Sequence, residues 1–308
     1  MIGQESRPYN PDGHVIAARA DIREEPGELL LEKKGQRVRA GKKHIRPVPG
    51  KNILARVTDG INGVAIVAIF FAAWEVLPRA GLVQAMFLPP ATTVARAWLE
   101  LLSSGELLKH VIISMQRVAA GFGLSLVIII PLGCLIGWYK SFERFVDPLV
   151  QAFRQTSALA LFPVFILFFG IGEFSKIGMV FWAAQWPILL GTISGIRNVD
   201  PLFVDVARTF GIKDLKLFIR IILPAAFPSI MTGIRLGAGA SFLVLVAAEM
   251  IGAKSGLGFM IINAQYNFET PQMYSAILTI SLLGLAVNYL LVWIERKAMA
   301  WKEEIVPT

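Results

Sequence analysis

The sequence predicts an all-α polytopic membrane protein with about six transmembrane helices. Three observations carry this. Of 308 residues, 55% are hydrophobic and only 17% charged, far from the balance of a soluble domain. Apolar stretches long enough to cross a hydrocarbon core of about 30 Å recur six times after Thr58. These stretches are about twice the length of a barrel strand and do not alternate, so helix is the form in which their backbone satisfies itself in lipid.

Residues 1–57 stand apart. They hold twelve Lys/Arg and seven Asp/Glu with no long apolar run, which predicts a flexible tail. Polar residues 1–10 do not make a secretory signal, so the tail is expected on the cytoplasmic side. Gly35, Gly41 and Lys42 imitate a phosphate loop, but five residues separate the glycines and Lys43 stands where a Ser/Thr would bind magnesium. Nucleotide binding by this chain is therefore not expected. The single Cys134 excludes a disulfide framework, and His14, His44 and His110 have no partners at zinc-ligand spacing.

The expected spans are residues 58–77, 111–138, 148–169, 177–196, 229–251 and 272–294, within a membrane region covering 58–296 and followed by a C-terminal tail, 297–308. Between the first two, Pro89 and Pro90 precede an amphipathic stretch, 92–102, expected to lie along the outer interface. With both termini inside, cytoplasmic segments counted from Gly41 hold fifteen Lys/Arg against five outside. The positive-inside rule then places both tails and the 197–229 loop in the cytoplasm. The excess of positive charge is thus accounted for by topology, and nucleic acid is not an expected partner.

Ionisable residues inside spans are expensive and mark cavities, helix pairs or snorkelling to headgroups. Arg117, Arg154, Arg235 and Glu249 qualify. Gln151, Arg154 and Gln155 share one helical face in the third span, followed by Thr156 and Ser157 before Pro163. That polar half is expected to line water. With Arg235 it forms a candidate translocation pathway for an anion, to which Glu249 is added. Gly133 and Gly137, and Gly233, Gly237 and Gly239, permit close helix approach, within the chain or at a dimer seam. Trp182, Gln185, Trp186 and Pro187 are candidate cavity-wall or packing residues.

The 200–224 loop spells out two short helices. Asp200 can cap and Pro201 can open the first, Leu202, Val206 and Phe210 share a face, and Gly211 ends it. In the second, Leu215, Phe218, Ile219 and Ile222 oppose Lys213, Lys216 and Arg220, with Pro224 and Pro228 expected to stop it.

This loop resembles the coupling loop of ABC-importer permeases: Glu-Ala-Ala, three residues, Gly, nine residues, Ile-x-Leu-Pro. Here it reads Asp205-Val206-Ala207, Gly211, Ile221-x-Leu223-Pro224, with Asp for Glu and Val for the first Ala. Phe169-Gly170-Ile171-Gly172-Glu173, Gly233-Ile234-Arg235-Leu236 and Leu245-Val246-Ala247-Ala248-Glu249-Met250 extend the likeness to the nitrate/sulfonate/taurine/bicarbonate branch. The resemblance implies a type I ABC importer fold in a bacterial inner membrane. It also implies a homodimer with a second copy of this permease, two ABC ATPase subunits, and a periplasmic or lipid-anchored substrate-binding protein. Asp205, Ala207, Arg208, Gly211, Leu223 and Pro224 become the ATPase-coupling residues. ATP and magnesium would belong to the partner subunits, with no cofactor and no catalytic residue on this chain.

The implied cargo is a small anion, a sulfonate such as taurine ahead of nitrate. A stand-alone secondary carrier or channel for anions is the alternative; it would not need a docking hairpin. An intramembrane enzyme would need a catalytic constellation that the spans lack.

Overall fold

The computed structural model describes the backbone of residues 53–299 and the side chains from residue 65 onward. Expectations placed on residues 1–52 and 300–308 lie outside the described residues. The helical bundle belongs to the unit that begins at Ala65. Every regular element among the described residues is a helix.

Helix α1, Ile53–Arg79, contains the first expected span. α2, Ala91–Ser103, follows the Pro89-Pro90 connection, and α3 is Glu106–Trp138. The chain continues through α4, Lys140–Arg154, α5, Phe162–Phe169, and α6, Glu173–Arg197. A hairpin of α7, Pro201–Thr209, and α8, Asp214–Leu217, leads through a π-helical turn, Phe218–Ile222, into α9, Leu223–Gly252. A short α10, Leu257–Tyr266, precedes α11, Thr270–Ala298. Four helical stretches among the described residues are long and apolar enough to cross a membrane: Glu106–Trp138, Glu173–Arg197, Asp214–Gly252 and Thr270–Ala298.

Glycines set the helix register. A Cβ on Gly121 would meet Val180 at 2.7 Å, one on Gly133 would meet Thr192 at 2.8 Å, and one on Gly137 would meet Ile196 at 3.1 Å. Both numbers rise together, so α3 and α6 run parallel. A Cβ on Gly233 would meet the Pro187 carbonyl at 2.6 Å, and one on Gly237 that of Ala184 at 3.0 Å; α6 and α9 are antiparallel. The small-residue motifs are therefore seams inside the chain, while Gly239 has nothing within 4 Å.

Two parallel neighbours require the chain between them to return across the bundle. Residues 139–172 do this as a broken path, α4 then α5, and the single helix expected over 148–169 is corrected. The reason lies in the polar run Gln155-Thr156-Ser157, where side-chain hydroxyls and amide compete with helix hydrogen bonding, and in Pro163, which restarts a helix but cannot donate within one.

α2 also departs from expectation. Val94 and Leu101 are buried, Trp98 Nε1 donates to Thr279 Oγ1 at 3.0 Å, and Ser275 Oγ donates to the Val94 carbonyl at 3.2 Å. Its apolar face packs on α11 instead of on headgroups. Trp74 Nε1 donates to the Pro89 carbonyl at 3.0 Å, and Glu75 Oε2 accepts from Thr92 N at 3.0 Å, so α1 holds the entry to α2.

At the hairpin, Asp200 Oδ1 accepts from Leu202 N at 2.9 Å with Pro201 in the first turn. Gly211 has φ +73°, and Ile212 N donates to the Ala207 carbonyl at 3.2 Å, the six-to-one bond of a left-handed helix stop. The second arm is different from expectation. Pro224 does not stop it: Asp214–Gly252 is one helical path of 39 residues. The wider π turn before Pro224 is the local device that lets a helix pass a residue lacking an N–H. Leu217 and Ile222 are buried at its base, where Trp138 meets Phe218 edge-on at 5.2 Å.

Candidate functional site

Three features hold the side chains that the sequence singles out: a groove, the hairpin surface, and a buried charge cluster at the far end of the bundle.

The groove lies between the end of α4, the middle of α6 and the first half of α9. Its volume is about 600 Å³, lined by Arg154, Gln155, Trp186, Pro187, Leu190, Gly191, Ser194, Ser229, Thr232, Gly233 and Leu236. Its floor is the glycine seam: a Cβ on Gly191 would sit 2.8 Å from Gly233 Cα, so only paired glycines let α6 and α9 approach this closely. Arg154 and Gln155 reach it because the helix break follows them directly. A neighbouring cavity of about 460 Å³ shares Arg154, Leu190 and Ser194 and adds Gln151, Glu143 and Arg197 toward the hairpin end.

Charge in the two spaces is uneven. Arg197 is ion-paired with Glu143, and Arg235 pairs with Glu295 at 3.1 Å. Arg154 has no carboxylate partner among the described residues and is exposed. In the groove hydroxyls and the Gln155 amide stand around it, while Asp147 and the Arg197-paired Glu143 line the neighbouring cavity on its other side. The indole N–H groups of Trp182 and Trp186 and the Gln185 amide nitrogen are buried without an acceptor among the described residues; all three are donors. Trp186 lines the groove and Trp182 packs on it edge-on at 5.3 Å. In the groove it is the Arg154 guanidinium, without a carboxylate partner, that favours negative charge.

Of the candidate pathway residues, the fold thus brings Gln151, Arg154 and Gln155 together. Arg235 is tied to α11 through Glu295, beside the groove-lining Leu236 but not lining the groove itself. Glu249 lies elsewhere.

Glu249 is fully buried in the charge cluster. Its carboxylate accepts from Arg117 Nη1 at 2.6 Å, Ser114 Oγ at 2.8 and 2.9 Å, and Gly258 N at 2.9 Å. Arg117, also buried, is gripped bidentately by Glu173, Nε to Oε2 at 2.5 Å and Nη2 to Oε1 at 2.7 Å, and donates to the Ser255 carbonyl at 2.7 Å. Lys176 is buried with Nζ donating to the Gly172 carbonyl at 2.9 Å. Arg117 and Lys176 against Glu173 and Glu249 make the cluster neutral, the condition on which buried charge is tolerated. Its missed signal is an acidic residue near a span end that needs a cation at the same depth; Arg117 is that cation, 132 positions away.

On the hairpin, Asp205, Arg208 and Gly211 are exposed, Ala207 is buried, and Leu223 and Pro224 are half-buried at the base. Leu202, Phe203, Val206 and Phe210 are exposed, Phe210 by 79%. This makes an apolar face on a rigid projection, the composition of a docking surface.

Comparison with known proteins agrees with this anatomy. A protein of Bacillus subtilis (strain 168), named as an aliphatic sulfonates transport permease, is 35% identical over 89% of this chain and 98% of its own length. The nitrate import permease protein of Synechococcus elongatus is 31% identical over 76% of this chain and 88% of its own. Among solved structures, an inward-facing form of the MetNI methionine ABC transporter superposes with a TM-score of 0.57 at 17% identity, over 62% of this chain and 95% of the other. Residues 129–299 match the family of binding-protein-dependent transport system inner membrane components. The chain belongs to that family: it is a multi-pass inner-membrane permease subunit of an ABC importer, in the sulfonate, taurine and nitrate branch, and carries no catalytic site of its own.

Proposed function

We propose that two copies of this chain form the pathway of an importer for a small organic anion, a sulfonate such as taurine ahead of nitrate. Both termini and the hairpin face the cytoplasm in this reading, which the Lys/Arg distribution supports. Two ATPase subunits dock on the exposed Leu202, Phe203, Val206 and Phe210 face, with Asp205 and Arg208 at its polar edge. ATP and magnesium are bound there and not by this chain. An external binding protein delivers the cargo, so the pathway itself needs only modest affinity.

The observation that carries the anion reading is Arg154. Within the bundle, Arg117, Arg197 and Arg235 are each paired with a carboxylate, whereas Arg154 enters the groove without one among the described residues. The apolar walls, Leu190, Leu236, Trp186 and Pro187, suit a cargo with a short hydrocarbon part, which supports a sulfonate over nitrate.

Uptake of labelled taurine by cells with and without the chain, in competition with alkanesulfonates, nitrate and aromatic carboxylates, tests the cargo. Loss of uptake on deletion, restored by the unmodified chain, supports sulfonate import. Unchanged taurine uptake with loss of another anion moves the cargo to that anion. Uptake that persists when the ATPase subunits are deleted selects the alternative, a stand-alone carrier.

A further inference from the structure

The hairpin and the charge cluster are opposite ends of one object. The helical path Asp214–Gly252 spans 39 residues, about 58 Å at 1.5 Å per residue. It begins in the hairpin and, three residues before its end, carries Glu249. Along its length it is seamed to α6 through Gly191, Gly195, Gly233 and Gly237, and α6 is seamed to α3 through Gly121, Gly133 and Gly137. Contacts of this closeness leave little room for sliding.

At the far end the three helices converge on the start of α10. Three successive backbone N–H groups there are each taken by a side chain: Gly256 N donates to His110 Nδ1 at 2.9 Å, Leu257 N to Ser114 Oγ at 2.9 Å, and Gly258 N to Glu249 Oε2 at 2.9 Å. His110, Ser114 and Arg117 stand on one face of α3, at helical spacings of four and three. These N–H groups are the ones a helix start leaves without partners of its own. α10 is thereby bolted at its first turn to α3 and α9, and Glu173 extends the attachment to the first residue of α6. The Glu173 grip is the detachable part. Its side chain is 58% exposed where Arg117 is 3% exposed, and Gly170, at φ +75°, and Gly172 precede it.

Resting on the ATP-driven reading above, we propose that His110, Ser114, Arg117, Glu173 and Glu249 are positioning residues that carry hairpin motion to α10, making that short helix the moving outer cap of the pathway. Motion imposed on the hairpin travels along Asp214–Gly252 as a rigid body. The cap moves with it because these bonds tie its first turn to α3 and α9, where Gly258 also packs against the Val246 carbonyl, while Leu257, Met260 and Ile261 bury its other face against Leu101, Leu107 and Ala276. The cluster touches no cargo and acts only through α10.

The test is the full complex, permease pair plus ATPase subunits with the binding protein supplied, in liposomes, with Cys134→Ser removing the native thiol. Spin labels are placed on the hairpin by Lys216→Cys or on the cap by Tyr266→Cys, both exposed. Distances between the two copies are read without nucleotide and after trapping with ATP and vanadate. In the otherwise unmodified complex both pairs shift by several ångströms. In Ser114→Ala and in Glu173→Gln the hairpin pair still shifts, the cap pair loses at least half its shift, and ATP consumed per molecule of cargo imported rises several-fold. Ser114→Thr, which keeps the hydroxyl, restores the cap shift. A cap shift of full amplitude in both Ser114→Ala and Glu173→Gln overturns the proposal. Absence of any hairpin shift in the unmodified complex instead overturns the ATP-driven reading on which it rests.

Discussion

Replacing Gly233 by Ala adds one methyl group at the tightest point between α6 and α9. The new Cβ would stand 2.6 Å from the Pro187 carbonyl oxygen and 3.2 Å from Gly191 Cα. Both neighbours are backbone, so no rotamer change relieves the contact and the helices must separate by roughly 0.5–1 Å, a gap that forfeits about a quarter to a half of the dispersion well for each atom pair it opens. Overpacking of this kind costs about 1–3 kcal/mol. At about 2–4 °C per kcal/mol for a chain of this size, the expected result is a fall in apparent Tm of about 2–12 °C. The assay is thermal unfolding of the detergent-solubilised permease at a fixed scan rate, with Gly123→Ala as control. Gly123 has nothing within 4 Å of a Cβ, so that substitution gains helix propensity of up to about 1 kcal/mol and does not lower Tm. A Gly233→Ala protein as stable as the parent, or a Gly123→Ala protein equally damaged, would refute the claim that the seam is set by backbone contact.

Arg154→Ala is expected to reduce uptake at least about tenfold, the equivalent of one charge-assisted hydrogen bond, with the complex assembling at parental levels; uptake within twofold of the parent would remove Arg154 from the pathway. Glu249→Ala leaves buried Arg117 and Lys176 with Glu173 as their single counter-charge in the cluster and should cost about 3–5 kcal/mol, seen as sharply lower membrane yield, while Glu173→Gln at the exposed end of the same cluster should leave yield nearly intact. Equal losses from the two would contradict the division between a fixed node and an outer grip. Asp200→Ala removes a helix cap worth about 0.5–2 kcal/mol and should loosen α7 alone, measured as faster amide exchange over 201–209 with no change in α9.

Local features are the legible ones. Asp200, Pro201 and Gly211 announce a helix start and stop within a dozen residues, and the first arm of the hairpin folds as they dictate because its cap and its stop are both local. The polar run Gln151 to Ser157 is visible too, but it reads equally as the wet face of one span or as the seam between two short helices. What separates the readings is the parallel packing of α3 and α6, a tertiary fact. α10 escapes pattern reading because it is too short to span a membrane and its first turn is capped by His110 and Ser114, more than 140 positions away, as well as by Glu249. A charged residue in a span lines a cavity or pairs with another helix; the first principle puts Glu249 in the anion pathway, and the guanidinium of Arg117 decides for the second. Prolines end helices as a rule, yet Pro131, Pro148, Pro187 and Pro228 all lie inside helices, and the π turn before Pro224 is not announced by sequence pattern.

That π turn bears on how the length of this chain can vary. Inserting one residue anywhere between Pro224 and Glu249 would rotate everything beyond it by about 100° and swing the Glu249 carboxylate away from Arg117, so the stretch has a fixed count. The turn at Phe218–Ile222 is where an α-helix already accommodates an extra residue. Removing one residue there tightens the turn to α geometry and rephases the hairpin against the bundle, leaving the far cluster in place. The nine-residue spacing from Gly211 to Ile221 runs into this turn, so related permeases should keep its length, and a one-residue deletion there should uncouple the hairpin from its motor while the far cluster stays folded.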